Sequence, residues 1–202
     1  MPQPGRIVIL NGTSSAGKTT LARAFRDDRA AAGECWLVIA LDDYFWLLPH
    51  QWFRGGGHHG PFSEAGVWLE PSEEGPILRL GELGRRLFAA YRRTAALWAH
   101  AGFDVVVDDV AFDEEAVRDW HDALDGLAVT WVAVQCEPEV ADRRERERGD
   151  RMIGMARALS GVHRCAPSDL VVDTTELPVA EATRRLVAAV SGAVPDGAPV
   201  SS

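Results

Sequence analysis

The stretch from Gly12 to Thr19 constrains this chain of 202 residues more than any other part of it. It reads Gly-Thr-Ser-Ser-Ala-Gly-Lys-Thr and fits the pattern G-x-x-x-x-G-K-[ST], which is meaningful only between a strand and a helix. The chain meets that condition, because an apolar run at residues 6–10 precedes the motif and a helical pattern at 17–32 follows it. We therefore predict a phosphate-binding loop that joins a first strand to a first helix.

The residue types in this loop suit the binding of a nucleoside triphosphate. Glycines let backbone N–H groups curl around phosphate oxygens, and the helix N-terminus adds its positive dipole end. Lys18 can reach the β- and γ-phosphates of ATP, and Thr19 can offer its hydroxyl to Mg²⁺. Of the 21 basic residues, 20 are arginines and Lys18 is the single lysine, as expected if the wider arginine fork cannot serve at this position.

We accordingly predict that Lys18 is catalytic and that ATP and Mg²⁺ are the cofactors. The loop and the first turn of the helix are predicted to bind the nucleotide, through Gly12, Thr13, Ser14, Ser15, Ala16, Gly17, Lys18, Thr19 and Thr20.

Apolar strand-like runs alternate with helical stretches along the rest of the chain, which is typical of a parallel α/β sheet. Together with the phosphate-binding loop, this order predicts an α/β fold of three layers, a P-loop NTPase with a five-stranded parallel sheet. Further strands are predicted at residues 35–41, 104–107, 129–135 and 170–172, and helices at 78–101, 113–124, 138–148 and 178–191. The kinase domain is predicted to span residues 1–192, with a disordered tail at 193–202.

The composition excludes several classes of protein. A net charge of −9 argues against a nucleic-acid partner, which would need a basic face. No apolar stretch approaches the length of a membrane span, and the first apolar run is too short for a signal peptide. Three cysteines match no zinc or disulfide spacing and are predicted to be buried thiols. We expect a cytoplasmic protein with a small-molecule substrate and no membrane partner, and an oligomer remains open.

Two acidic pairs follow predicted strands, Asp42-Asp43 and Asp108-Asp109. Ligands of parallel sheets bind beyond the carboxyl ends of the strands. A carboxylate there can take the proton from an attacking hydroxyl, and another can hold Mg²⁺. We predict Asp42 as the catalytic base and Asp108, with Thr19, as the metal-binding pair, Asp109 being the second choice for the metal. Asp43 and Asp109 are also predicted to face the acceptor, and helix capping is the alternative role of each aspartate.

An arginine-rich stretch at residues 143–151 is predicted to form part of a lid over 143–157. It places Arg144, Arg148 and Arg151 on one helical face if the helix continues through Gly149. A cationic lid would neutralise the charge that develops on the transferred phosphoryl group. Arg144 is predicted to be catalytic and the other two arginines to bind the nucleotide, the alternative being a solvated helix with ion pairs between successive turns.

Residues 47–76 are too aromatic for a linker and too rich in glycine for a helix, so we predict a long acceptor-side loop. Trp52, Phe53 and Trp68, with Tyr44 beside the predicted catalytic aspartate, are predicted to form an apolar wall around an organic acceptor. The alternative is a local cluster that stabilises the loop itself.

The chain resembles the chloramphenicol phosphotransferase family over residues 6–190. The resemblance is carried by Ile-Leu-Asn-Gly-Thr-Ser-Ser-Ala-Gly-Lys at 9–18, by Asp42 and Asp-Asp-Val at 108–110, by Arg-Gly-Asp-Arg at 148–151 and by Val-Asp-Thr-Thr at 172–175. It implies a nucleoside-kinase-like fold, ATP with Mg²⁺, and phosphorylation of an antibiotic hydroxyl. It also implies that Asp42 is the catalytic base and that the arginine helix is the lid. The acceptor region departs from the family, because Asp42 is followed by Asp-Tyr-Phe-Trp and the long Gly- and aromatic-rich loop.

The sequence thus predicts a kinase that phosphorylates a hydroxyl of a small molecule, an antibiotic or a related natural product. Three alternatives remain open. A metabolic kinase for a nucleoside, sugar acid or vitamin precursor would be favoured by a more basic acceptor pocket. A P-loop regulatory ATPase would have no acceptor, and a kinase-like toxin would act on sugar nucleotides.

Overall fold

The structure is a computed structural model that describes residues 3–54, 61–72, 76–148 and 154–192. Its strands follow in chain order as β1 (Ile7–Asn11), β2 (Trp36–Ala40), β3 (Phe53–Arg54), β4 (Val67–Glu70), β5 (Ile77–Leu80), β6 (Asp104–Asp109), β7 (Val129–Gln135) and β8 (Leu170–Asp173). Its α-helices are α1 (Lys18–Ala31), α2 (Leu41–Phe45), α3 (Glu82–His100), α4 (Glu114–Ala123), α5 (Pro138–Arg148), α6 (Met155–Ala158) and α7 (Val179–Gly192). A 3₁₀ helix at His50–Trp52 precedes β3.

The five predicted strands form one parallel sheet in the order β2-β6-β1-β7-β8. Asn11 at the end of β1 pairs with Asp109 of β6, and Ala40 at the end of β2 pairs with Asp108. The chain segments that follow β1, β2 and β6 therefore meet at one edge of the sheet. This confirms the predicted fold class, and it places the phosphate-binding loop beside both acidic pairs.

Helices cover both faces of this sheet and complete the three layers. Phe25 of α1 and Leu186 of α7 are buried in the core on one face, and Tyr91 of α3 and Trp120 of α4 are buried in the core on the other. Strand β1 is buried along its whole length, as expected for a central strand covered on both faces.

The predicted acceptor-side loop contains regular structure that the sequence analysis missed. Strands β3, β4 and β5 form a second, three-stranded sheet, in which β3 pairs with β4 in parallel and β4 pairs with β5 antiparallel. The prediction that a helix starts at residue 78 is wrong, because residues 77–80 form β5 and α3 begins at Glu82. Leucines at helical spacing on both sides of Gly81 hid the boundary.

Two further predictions concern the cysteines and the segments at 149–153 and 193–202. Cys35 and Cys165 are exposed and Cys136 is partly exposed, so the prediction of buried thiols is wrong. The predicted tail at 193–202, and the middle of the predicted lid at 149–153 with Gly149 and Arg151, lie outside the described residues.

The small sheet depends on a close approach between two backbone segments at Gly66. A Cβ atom at this position would lie 1.9 Å from the carbonyl oxygen of Trp52. We expect Gly66→Ala to destabilise the protein by about 1–3 kcal/mol, because the backbone must move to relieve the overlap. Thermal unfolding checks this, with Gly192→Ala as the matched control, since a Cβ at Gly192 meets nothing within 4 Å. Equal melting temperatures for the two variants would contradict the expectation.

Candidate active site

The backbone conformation of the phosphate-binding loop requires or favours glycine at some of its positions. A Cβ on Gly12 would lie 2.4 Å from the carbonyl oxygen of Val134 in β7, so the loop can approach this strand only with glycine there. Gly17 has φ of 91° and Ser15 has φ of 60°, both in the left-handed region. The two turns bring successive loop N–H groups to the start of α1, as an anion-binding loop requires.

Lys18 lies inside this loop and is almost completely buried. Its ammonium donates a hydrogen bond to the Thr13 carbonyl oxygen at 2.8 Å and lies 4.0 Å from Oδ1 of Asp108. Burial, and secondarily the positive charge of Lys18, lower the pKa of the half-buried His163 imidazole. The Ser15 hydroxyl is buried with no hydrogen-bond partner among the described residues, and a phosphate oxygen would accept its hydrogen bond. The loop therefore fits a polyphosphate.

Thr19 and Asp108 meet beside Lys18. The Thr19 hydroxyl donates to Oδ2 of Asp108 at 2.5 Å, which joins the first turn of α1 to the end of β6. The described residues contain no group of three or more acidic, histidine or cysteine side chains that could hold a metal by themselves. Mg²⁺ needs no such cage in kinases, since it is held by one or two protein oxygens, water and the substrate phosphates. The pair Thr19–Asp108 fits that chemistry.

Asp42 lies where two cavities join. It follows β2 in the first turn of α2, not on an extended strand end. The first cavity is about 500 Å³ and the second about 520 Å³. The residues that line both are those at their junction, namely Thr19, Ala40, Leu41, Asp42, Val110 and Arg148.

The first cavity extends from the phosphate-binding loop towards α7. Of the predicted nucleotide-binding residues, Ser15, Gly17, Lys18, Thr19 and Thr20 line it, with Arg144 and Arg148. Its lining also includes Thr174, which lies against the loop, and the apolar residues Leu177, Val179 and Ala182 at and just before the start of α7. A site with a cationic, loop-lined end and a largely apolar end suits a nucleotide, whose phosphates and base differ in the same way.

The other loop residues predicted to bind the nucleotide do not line the first cavity. Gly12 lets the loop approach β7, Ser14 lines the second cavity, and Thr13 and Ala16 line neither. The Thr13 hydroxyl donates to the Ala156 carbonyl at 2.6 Å, and the Thr174 hydroxyl lies 2.7 Å from the Ala16 carbonyl. These contacts support the loop from the two flanking segments.

Two of the three arginines predicted to face the nucleotide, Arg144 and Arg148, lie within the described residues, and they differ in the cavities that they line. Arg144 donates to the Thr174 carbonyl oxygen at 2.8 Å and lines only the first cavity. Arg148, four residues later on α5, lines both cavities. Arg148 therefore borders the junction of the two cavities, whereas the predicted catalytic Arg144 does not.

The C-terminal part of the predicted lid, and the residues that follow it, are hydrogen-bonded to α5 and to the start of the phosphate-binding loop, which the sequence did not reveal. Glu145 of α5 is fully buried, and its carboxylate accepts hydrogen bonds from the backbone N–H groups of Gly154 at 2.7 Å and Ala156 at 3.0 Å. The Asn11 amide donates to the Val162 carbonyl at 3.1 Å. Together with the hydrogen bond from Thr13 to Ala156, these contacts hold the segment at 156–162 against the phosphate-binding loop and the segment at 154–156 against α5.

The second cavity is lined by some of the residues predicted to form the acceptor wall and not by others. Asp43 and Phe53 line it. Tyr44 lines neither cavity and packs edge-on against Tyr91, at 4.8 Å between ring centroids. Trp52 and Trp68 also line neither cavity. Sequence reasoning missed most of the wall, which comprises Arg23, Arg26, Val38, Phe45, Trp46, Leu69, Leu78, Phe112, Met155 and Leu159.

Asp109 faces away from both cavities, so its predicted contact with metal or acceptor is wrong. Neighbouring residues of a strand point to opposite faces, and Asp108 takes the face of the phosphate-binding loop. The buried carboxylate of Asp109 accepts a hydrogen bond from the Trp120 indole N–H at 2.6 Å. Burial raises the pKa of Asp109, although this hydrogen bond acts in the opposite direction. Asp109 is a core residue.

The comparisons with known proteins agree with this geometry. The structure is similar to that of Mycobacterium tuberculosis APS kinase CysC in complex with AMPPNP and APS, with a TM-score of 0.63, 15% identity and coverage of 94% of this chain and 99% of the other. It is also similar to a sugar kinase from Janibacter sp. HTCC2649, with a TM-score of 0.64, 15% identity and coverage of 94% and 96%. These likenesses show that the fold is that of a P-loop NTPase.

The family follows from the sequence comparison. The profile of the family described as "Chloramphenicol phosphotransferase-like protein" matches residues 5–191, and the chain belongs to this family. A Mycobacterium tuberculosis (strain H37Rv) protein named "Putative O-phosphotransferase Rv2636" is 36% identical over 194 residues, covering 92% of this chain and 82% of that protein. The predicted resemblance and enzyme class are confirmed: the protein is a kinase that transfers phosphate to a hydroxyl group. None of the helices in the described ranges is both long and apolar enough to span a membrane.

The assignment of Asp109 to the core can be tested by Asp109→Asn. The folded protein holds the proton of Asp109 to a higher pH than the unfolded chain does, so this residue disfavours folding increasingly as pH rises above about 4. Asparagine keeps an acceptor oxygen for Trp120 and never ionises. We expect the variant to gain stability relative to the wild type between about pH 4 and pH 7, measured by urea unfolding at both pH values, and to retain activity. A stable variant without activity would return Asp109 to the site.

Proposed function

We propose that the protein transfers the γ-phosphate of ATP to a hydroxyl of an antibiotic or related natural product. One observation carries the proposal: Asp42 lies at the junction of the loop-lined first cavity and the aromatic-lined second cavity. ATP in the first cavity and an alcohol in the second would meet at Asp42. A bond would form between the alcohol oxygen and the γ-phosphorus, the bond to the β-phosphate oxygen would break, and ADP would leave.

Each step of this transfer has a residue suited to it. Asp42 accepts the proton of the attacking hydroxyl as general base. Lys18, fixed by the Thr13 carbonyl, binds the β- and γ-phosphates, and the backbone N–H groups of the loop bind the remaining phosphate oxygens. Arg148 stabilises the charge that spreads over the transferred group. Arg144 of α5, which donates to the Thr174 carbonyl just after β8, positions the nucleotide, and Arg151 is proposed to bind the nucleotide as well.

Thr19 and Asp108 are the residues proposed to hold Mg²⁺. When bound, the ion neutralises phosphate charge and orients the phosphate chain. Their contact at 2.5 Å keeps two oxygens together at the edge of the first cavity.

The wall of the second cavity supports an organic acceptor with an apolar body. Phe45 and Phe53 are stacked, with ring centroids 5.2 Å apart, and Trp46 meets Phe53 edge-on. Large apolar walls with a few polar groups are typical of small-molecule sites. A regulatory ATPase would have no use for such a cavity beside Asp42. The family supports an antibiotic or related compound as the acceptor.

A metabolic kinase for an acidic small molecule is the second candidate. It is favoured by Arg23 and Arg26, which line the acceptor cavity of a protein whose net charge is −9.

The first test is a mass-spectrometric screen for one added phosphate on hydroxylated antibiotics, nucleosides and sugar acids incubated with enzyme, ATP and Mg²⁺. We expect a phosphorylated product, and we expect Lys18→Ala and Lys18→Arg both to abolish it, because a guanidinium cannot replace the buried ammonium. Near-normal kcat/KM in either variant would overturn the role of Lys18. ATP hydrolysis that no acceptor in the panel accelerates would favour the regulatory ATPase.

The role of Asp42 is tested by Asp42→Asn. The amide cannot accept the proton, so we expect ATP binding to persist and kcat to fall by about two to four orders of magnitude. Asp125→Asn is the matched control, because Asp125 is exposed and lines neither cavity. A variant with normal kcat and weaker ATP binding would make Asp42 a residue that positions the nucleotide.

A further inference from the structure

We propose that the second cavity selects acceptors that carry an oxyanion, a carboxylate or a phosphate ester, bound by Arg23 and Arg26. The inference rests on the proposed function, in that it takes the second cavity to be the acceptor site. It narrows the acceptor from any hydroxylated small molecule to an anionic alcohol with an apolar body.

The two arginines continue a line that starts at the place of phosphoryl transfer. Thr19, Arg23 and Arg26 lie at i, i+4 and i+7 of α1, on one face of the helix, and all three line the second cavity. At 1.5 Å per residue, Arg23 begins about 6 Å and Arg26 about 10 Å beyond Thr19 along the helix axis. An acceptor with its hydroxyl at Asp42 can therefore reach the guanidinium groups with an anion at its far end.

The charges around these arginines leave them able to bind a ligand. Within the described part of the chain, the Arg23 guanidinium has no hydrogen bond or ion pair. Arg26 pairs with its neighbour Asp27 at 2.7 Å, but both side chains are largely exposed, and such a pair contributes little. The carboxylates in the wall, Asp42 and Asp43, belong to α2 and not to α1. Guanidinium groups bind carboxylate and phosphate through two parallel hydrogen bonds, which a neutral acceptor cannot offer.

The remainder of the wall sets the body of the acceptor. Phe45, Phe53 and Phe112 line the cavity together with Leu69 and Leu78 of the small sheet. A ring or branched apolar body would pack between these side chains while its anion reaches α1. The chemical class is thus an apolar-bodied alcohol with one oxyanion, such as an aromatic hydroxy acid or hydroxyaryl phosphate.

The test measures binding, so it does not depend on turnover. Three probes share a benzyl alcohol: para-hydroxymethylbenzoate, para-hydroxymethylphenyl phosphate and the neutral para-hydroxymethylbenzamide. Their dissociation constants are measured by ligand-observed NMR with the full chain, Mg²⁺ and a non-hydrolysable ATP analogue. We expect at least one anionic probe to bind about tenfold or more tightly than the amide. The tighter of the two anions identifies a carboxylate or a phosphate as the preferred group.

The variants connect the preference to the arginines. Arg23→Ala should lower it to about twofold or less, and Arg23→Lys should retain part of it, since the charge remains without the planar fork. Arg93→Ala is the matched control, because Arg93 is exposed on α3 and lines neither cavity, and it should keep the preference. The proposal is overturned if neither anion binds better than the amide, or if the preference survives both Arg23→Ala and Arg26→Ala. If the wild-type protein did not bind the ATP analogue, that result would instead contradict the proposed kinase site.

Discussion

The site depends on one buried contact, in which Asp108 at the end of β6 meets Lys18 and Thr19 at the start of α1. Burying the Lys18 ammonium costs free energy unless polar or charged partners replace its water. Here the Thr13 carbonyl and the Asp108 carboxylate are those partners. The Thr19 hydroxyl completes the contact with Asp108 at 2.5 Å. These interactions join the phosphate-binding loop to the neighbouring strand, so the loop, the proposed metal-binding pair and the catalytic edge of the sheet form one unit. The positive charge that should bind phosphate is therefore placed before any ligand arrives.

Side-chain contacts from three other segments hold that unit together. Thr174 after β8 contacts Ala16, Thr13 contacts Ala156 near the C-terminal end of the predicted lid, and Glu145 binds the backbone N–H groups on both sides of Met155. These contacts explain why polar residues occur at positions that are remote in sequence but buried in the fold. They also connect the predicted lid to the loop, because Ala156 accepts a hydrogen bond from Thr13, whose own carbonyl binds Lys18.

The acceptor side was the least predictable part of the protein. Strands β3, β4 and β5 have two to four residues each, too few for alternation to indicate a strand, and Leu80 and Leu83 lie at a spacing that also fits a helix. The cavity wall comes from segments that are far apart in sequence, so no local pattern predicts it. Arg23 and Arg26 did carry a signal, their spacing of four and seven residues from Thr19, but that spacing is informative only once a cavity is known to lie along this face of α1.

The sequence alone determined the phosphate-binding loop, the five parallel strands and the enzyme class, because each rests on local patterns: a motif with glycines at required turns, continuous apolar strands, and a single lysine. The tertiary structure decided which members of those patterns act together. Asp108 and Asp109 are adjacent and chemically identical, yet strand geometry directs one towards Lys18 and buries the other against Trp120. Likewise Phe53 lines the second cavity whereas Trp52 does not. The physical reason is that orientation about a strand or helix depends on packing against distant segments, which local sequence does not contain.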